Sequence, residues 1–274
     1  MTIRFLAQVP SGYQVTASVQ PFKFPAGEWH LKNTDADEKP IGAVVYGTDP
    51  EDLVVLGMWA DYVHQRGEKA VAYIPYFPAA RADRGVPFGA KVYADIVNSF
   101  NLDEVVIFDP HSPVIVELIN NVRVIDSAPV IKSVIDKHGE GQYVGVIAPD
   151  KGAVARATQA ADALGVPLYK ATKERDFETG KLLRFEVEPL PEEGRLLIAD
   201  DLCDGGGTFR GIADVTGLPK ERLSLWVSHG VFSGRANELK ESFSRIYTTD
   251  SHPGAHREDV GAIVTPILPE LLTR

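Results

Sequence analysis

The chain has little cysteine, no long apolar run and a deficit of positive charge. Its one cysteine, Cys203, rules out an internal disulfide. No stretch of about 18 apolar residues offers a membrane span, and no apolar leader of the secretory kind stands at the N-terminus, so a cytoplasmic protein is expected. A formal charge of −10 leaves no basic surface to release counterions from nucleic-acid phosphates, so neither nucleic acid nor membrane is an expected partner. Any small anionic ligand must find its cations locally. One such place is Lys170 to Arg184, with basic residues at 170, 173, 175, 181 and 184 against acidic ones at 174, 176 and 178.

Low-complexity linkers are also absent, so 274 residues with 44% hydrophobic content are expected to form two moderate domains meeting in a short turn. Strand-like runs (Ala43 to Tyr46, Ala70 to Ile74, Val105 to Phe108, Val122 to Ile125, Tyr143 to Ala148, Leu196 to Ala199, Leu223 to Val227) alternate with helical segments. That rhythm predicts an α/β fold, each domain a mainly parallel sheet flanked by helices. Glu51 to His64 follows a capping Asp49 and Pro50, and Gly152 to Leu164 places Val154, Ala157, Ala161 and Leu164 on one helical face. The boundary is expected near Ser127, giving domains 1–126 and 127–274. Strands deliver Asp109-Pro-His111 before it, and Asp150 and Asp200-Asp201 after it. Ligands in open parallel sheets bind beyond the carboxyl ends of the strands, so two facing domains would share a cleft.

The densest chemistry lies in Arg195 to Thr208, an apolar strand that ends in Asp200 and Asp201 and runs through Asp204 into Gly205-Gly206-Gly207-Thr208. The glycines can present successive N–H groups to a phosphate, and Phe209 to Val215 has the spacing of a helix whose N-terminus would add to that attraction. Two like charges about 4 Å apart repel by roughly 4 kcal/mol at an effective dielectric near 20. The acidic pair therefore calls for hydroxyl donors, water or a cation, which vicinal ribose hydroxyls and Mg²⁺ supply. The pattern is neither the dinucleotide G-x-G-x-x-G nor the ATPase G-K-[ST].

This loop resembles that of type I phosphoribosyltransferases and of the ribose-phosphate diphosphokinase family. Further elements follow the diphosphokinase family in order from Phe24 to Ser251: Phe24 with Glu28, Pro75-Tyr76 with Ala80-Arg81 and Asp83-Arg84, Asp109-Pro-His111, Pro149-Asp150, Lys173-Glu-Arg175, Ser228-His-Gly230 and Thr249-Asp-Ser251. The resemblance implies two phosphoribosyltransferase-like domains and a substrate pair of ATP and ribose 5-phosphate. It implies that Phe24, Glu28, Arg81 and Asp83 bind ATP, and that Asp109 and His111 hold Mg²⁺. Asp150, Asp200, Asp201, Asp204 and Gly205 to Thr208 would bind ribose 5-phosphate. Lys173 and Arg175, in a charged stretch read as a mobile closing loop, would act on the transferred group. A homo-oligomer with shared active sites is likewise implied. Three departures stand out: Ala26 where the family has a carboxylate or amide, Ser112-Pro-Val in place of a glutamine-containing segment, and Gly205 in place of a common threonine. A phosphoribosyltransferase and a non-catalytic homologue remain as alternatives.

Overall fold

Apolar runs of four to nine residues become the buried strands of two sheets. The structure, a computed structural model, describes residues 1–10, 12–35, 37–138, 143–175 and 182–273, the side chains of 173–175 and 182–185 excepted. The chain forms two compact units, Met1–Ile125 with Leu268–Arg274, and Asp126–Ile267. The C-terminal segment thus belongs to the first unit, whereas the boundary expected near Ser127 put it in the second domain. Arg123 holds it there, donating to the carbonyls of Leu271 (3.0 Å) and Thr273 (2.8 Å).

The first unit runs β1 (Ile3–Val9), β2 (Gly12–Val15), β3 (Val19–Lys23), β4 (Trp29–Asn33), β5 (Pro40–Val45), α1 (Pro50–Gln65), β6 (Val71–Ile74), α2 (Gly89–Asn98), β7 (Glu104–Phe108), α3 (Pro113–Leu118) and β8 (Val122–Ile125). Its sheet has the order β2-β1-β5-β6-β7-β8, parallel from β5 to β8 and antiparallel at β1 and β2. A separate hairpin joins β3 to β4. Helix α1 starts as its sequence predicts: the Asp49 carboxylate accepts from the Glu51 N–H (3.0 Å), and Pro50 occupies the first turn, where no N–H is needed. It buries Leu53, Leu56, Trp59, Ala60 and Val63 against the sheet.

The second unit comprises α4 (Ser127–His138), β9 (Tyr143–Ala148), α5 (Val154–Leu164), β10 (Leu168–Arg175), β11 (Leu182–Val187), β12 (Arg195–Cys203), α6 (Gly207–Thr216), β13 (Leu223–Gly230), α7 (Leu239–Ser242), β14 (Arg245–Thr249) and β15 (Ile263–Thr265). Strand order is β11-β10-β9-β12-β13-β14-β15, parallel except for the β10–β11 pair. Strand β13 is buried along its whole length, as a central parallel strand must be. Lys173 and Arg175 depart from expectation: their backbone is the end of β10, paired antiparallel with β11, Lys173 opposite Phe185 and Arg175 opposite Leu182. Their side chains, and residues 176–181 beyond them, lie outside the described residues. Charge concealed the strand, because an edge hairpin needs no continuous apolar run.

Among the described residues, no helix is long and apolar enough to cross a membrane.

Candidate active site

In the second unit the carboxyl ends of four strands deliver the candidate groups. Strand β12 carries Asp200 and Asp201, then turns through Asp204 into the glycines. Gly206 adopts φ +76°, a left-handed conformation that costs other residues about 1–2 kcal/mol, and a Cβ there would lie 2.9 Å from Leu239. The turn leads straight into α6, so the N–H groups of its first residues remain without intrahelical partners and are oriented for an anion.

The loop after β13 is laced to this turn. Val231 and Phe232 N–H groups both donate to the Cys203 carbonyl (3.0 Å each), the Ser233 N–H donates to the Asp204 carbonyl (3.1 Å), and the Ser233 hydroxyl donates to the Asp204 carboxylate. Beneath, the thiol of Cys203 is fully buried; burial first, and the charges of Asp204 and Asp200, push its pKa up to about 12. His229, 2% exposed, sets Nδ1 2.8 Å from the Ser251 hydroxyl, which donates to the Ser228 carbonyl (3.0 Å). The hydroxyl therefore accepts from an Nδ1–H of the ring. His252 accepts from the Gly254 N–H through Nδ1 (3.0 Å), and burial followed by the nearby His229 holds its pKa below the usual range, against the pull of Asp204.

Asp150, beyond β9, is partly buried and builds a turn: its Oδ1 accepts from the N–H groups of Gly152 (2.9 Å) and Ala153 (3.2 Å) at the start of α5. From the first turn of that helix Arg156 reaches the acidic pair, Nη1 standing 3.5 Å from Oδ1 of both Asp200 and Asp201. The Asp201 N–H donates to Asp200 Oδ1 (2.8 Å). Burial first, and then the charge of Asp201, raises the Asp200 carboxyl well above the ordinary carboxylate range, with Arg156 opposing.

In the first unit, two loops carry the candidates. The loop after β6 leaves Arg81 and Arg84 exposed and Asp83 partly buried. Asp83 sits beside Ser112, Arg84 (3.0 Å) and His111. Burial pushes its carboxyl up, but these partners outweigh burial and hold it below the usual range. The Arg81 loop and the Asp109–His111 loop are thus brought together, with Ser112 as one of the contacts. Asp109 is 7% exposed with φ +39°, its N–H donating to the Ile125 carbonyl (3.0 Å), while His111 is exposed. Five non-glycine residues have positive φ among those described, and Ala79, Asp109 and Phe232 of them lie in these motif loops. Such outliers persist only where surrounding structure imposes them, and they concentrate at functional sites. No three His, Cys, Asp or Glu side chains converge as a metal cluster among the described residues.

Phe24 to Glu28 form the tip of the β3–β4 hairpin, closed by Gly27 N–H to Phe24 carbonyl (2.8 Å) and Phe24 N–H to Glu28 carbonyl (2.9 Å). The tip is exposed; Phe24, at 44% exposure, stacks on His30 with ring centroids 5.7 Å apart.

The phosphoribosyl transferase domain family matches residues 119–217. A ribose-phosphate pyrophosphokinase of Caldanaerobacter subterraneus is 30% identical over 74% of this chain and 68% of its own length. The chain belongs to the ribose-phosphate pyrophosphokinase family, pyrophosphokinase being a synonym of diphosphokinase. A relative of the same name from Cereibacter sphaeroides is 31% identical over 73% of this chain, which spans 63% of that relative's length. One from Pyrococcus abyssi is 27% identical over 86% and 85% of the two chains. Among solved structures, the phosphoribosylpyrophosphate synthetase of Mycobacterium smegmatis has the same fold, with TM-score 0.77 over 94% of this chain and 88% of its own, at 24% identity.

For a pyrophosphokinase-family chain, the residue-level reading missed one group with a direct place at the acidic pair. Arg156 lies within the helix expected over Gly152 to Leu164, where no role was assigned to it. The only sequence signal for it is i, i+6 spacing from Asp150 onto the first turn of a helix, which gives no direction to the side chain.

Proposed function

We propose that this chain transfers the diphosphoryl group of ATP to the anomeric hydroxyl of ribose 5-phosphate, giving phosphoribosyl diphosphate and AMP. The observation that carries this is the end of β12, where a buried acidic pair leads into a glycine turn at the N-terminus of α6. A sugar phosphate matches both halves of it, with hydroxyls for the carboxylates and phosphate oxygens for the N–H groups. Asp150, Asp200, Asp201, Asp204 and the Gly205–Thr208 turn are assigned to ribose 5-phosphate.

Phe24, Glu28, Arg81 and Asp83 are assigned to ATP. An exposed guanidinium such as Arg81 can grip phosphate bidentately or stack on a base. Mg²⁺ typically takes one or two protein ligands and completes its shell with water and phosphate oxygens, so the donors at Asp109 and His111 fit it when a triphosphate is present. When bound, it would neutralise charge on the phosphate oxygens. Lys173 and Arg175 are assigned to the transferred group as electrostatic stabilisers. The sugar O1 attacks Pβ as the bond from Pβ to the α,β-bridging oxygen breaks; AMP leaves with that electron pair, and the hydroxyl proton is released. The reading places the chain in cytoplasmic nucleotide biosynthesis as a homo-oligomer with shared sites.

Product chromatography tests the proposal. AMP is expected only when ATP, Mg²⁺ and ribose 5-phosphate are all supplied, and release of ADP in its place would assign an ordinary kinase instead.

A further inference from the structure

The acidic pair at the end of β12 has its own counter-ion, brought from a different element. Arg156 is anchored by its helix, and the Asp150 carboxylate fixes the turn that leads into it through the N–H groups of Gly152 and Ala153. Helix α5 packs on both β9 and β12, so the base of the Arg156 side chain cannot drift relative to the carboxylates. The guanidinium is 10% exposed, and Asp200 and Asp201 are 15% and 6% exposed. One nitrogen stands at equal distance from an oxygen of each, at a separation long for a hydrogen bond but close for charges shielded from water. The cation offsets the repulsion between two adjacent buried carboxylates.

We propose that Arg156 is a positioning residue for sugar binding: its guanidinium holds Asp200 and Asp201 side by side, ready to accept the vicinal hydroxyls of ribose 5-phosphate. This inference rests on the assignment of the pair to ribose 5-phosphate. It gives Asp150 a second part in the same device, because its carboxylate fixes the turn that leads into the helix carrying Arg156. Arg156 touches no reacting atom. Its removal should therefore act on sugar affinity, leaving the ATP side and the bond-making step nearly intact.

The test uses Arg156→Ala and Arg156→Lys in the full chain, with steady-state kinetics and calorimetric titration of ribose 5-phosphate. Expected for Arg156→Ala is a loss of sugar affinity and a rise in its KM of about tenfold or more, the scale of a charge-assisted contact, with kcat and the KM for ATP within about twofold. Arg156→Lys, which keeps the charge but not the planar fork, should recover part of the loss. A folded Arg156→Ala protein with unchanged sugar affinity overturns the inference, as does one losing kcat and both KM values together. Wild-type protein that neither binds ribose 5-phosphate nor releases AMP overturns the parent assignment instead. A thermal-unfolding cycle of Arg156→Ala with Asp201→Asn then tests the electrostatic device without substrate. Asp201→Asn should offset part of the destabilisation caused by Arg156→Ala, and strictly additive effects would show that Arg156 does not balance the pair.

Discussion

At the scale of single residues, the acidic pair costs folding free energy to make a binding surface. Asp200 has a folded-state pKa well above its unfolded value, so the fold favours its protonated form. The stability this allows is present in full below the unfolded pKa, near 3.9, and is lost as pH rises toward the folded one. Asp200→Asn removes the penalty while keeping the shape. Its thermal midpoint should equal that of the parent in acid and exceed it increasingly toward neutral pH, while ribose 5-phosphate affinity falls. Unfolding curves collected across that range would refute the account if the variant were less stable at neutral pH. His252 has the opposite sense: its depressed pKa contributes stability above the unfolded value that is lost as pH falls, since protonation of Nδ1 breaks the bond from Gly254.

At the scale of elements, the glycine turn divides its labour. Gly206 has left-handed backbone and Leu239 packed against the space a Cβ would take, whereas Gly205 has neither constraint. Gly206→Ala should lower stability by about 1–2 kcal/mol or more from backbone strain alone, and Gly205→Ala should leave the unfolding midpoint close to the parent. Equal midpoints for the two variants would remove Gly206 as the hinge of the turn. Much at this scale was legible beforehand. Tyr143 to Ala148 and Val122 to Ile125 are strands with the bounds their sequence gave; the first is a central parallel strand, apolar on both faces, and the second an edge strand, partly buried throughout. The antiparallel pieces were not. Strand β2 is exposed throughout and β4 alternates only between partly buried and exposed positions, so neither writes an apolar pattern. The end of β10 read as a loop because its sequence, Lys173-Glu-Arg175, is charged. In the candidate site, the order of motifs was visible, and the contacts between them were not: nothing in the chain announces that Ser233 bonds Asp204, that Asp83 meets Ser112, or that Arg156 spans the pair.

At the scale of the whole molecule, the two units carry different groups: the Arg81, Asp109 and Phe24–Glu28 elements in one, the acidic pair and glycine turn in the other. The exposed hairpin tip suits a contact outside its own unit, in keeping with the proposed shared sites. Inactive Glu28→Ala and Lys173→Ala chains, co-expressed so that assemblies mix, should regain partial activity; no rescue in assemblies proven to be mixed would refute shared sites while leaving the reaction assignment in place. Separation of the ligands follows from the same division. Asp204→Ala combined with Thr208→Ala should abolish ribose 5-phosphate binding by calorimetry and leave ATP binding largely intact, and equal loss of both ligands in a folded protein would contradict the assignment of each to its own unit.

The fate of the β-phosphorus tests the proposed reaction most directly. Purified protein is incubated with Mg²⁺, ribose 5-phosphate and ATP labelled at that phosphorus, and the products are separated. The account predicts label in a sugar diphosphate, formed in equal amount with unlabelled AMP and only when the sugar is present. Label retained in ADP would contradict it, as would label released to inorganic phosphate or diphosphate without a sugar product.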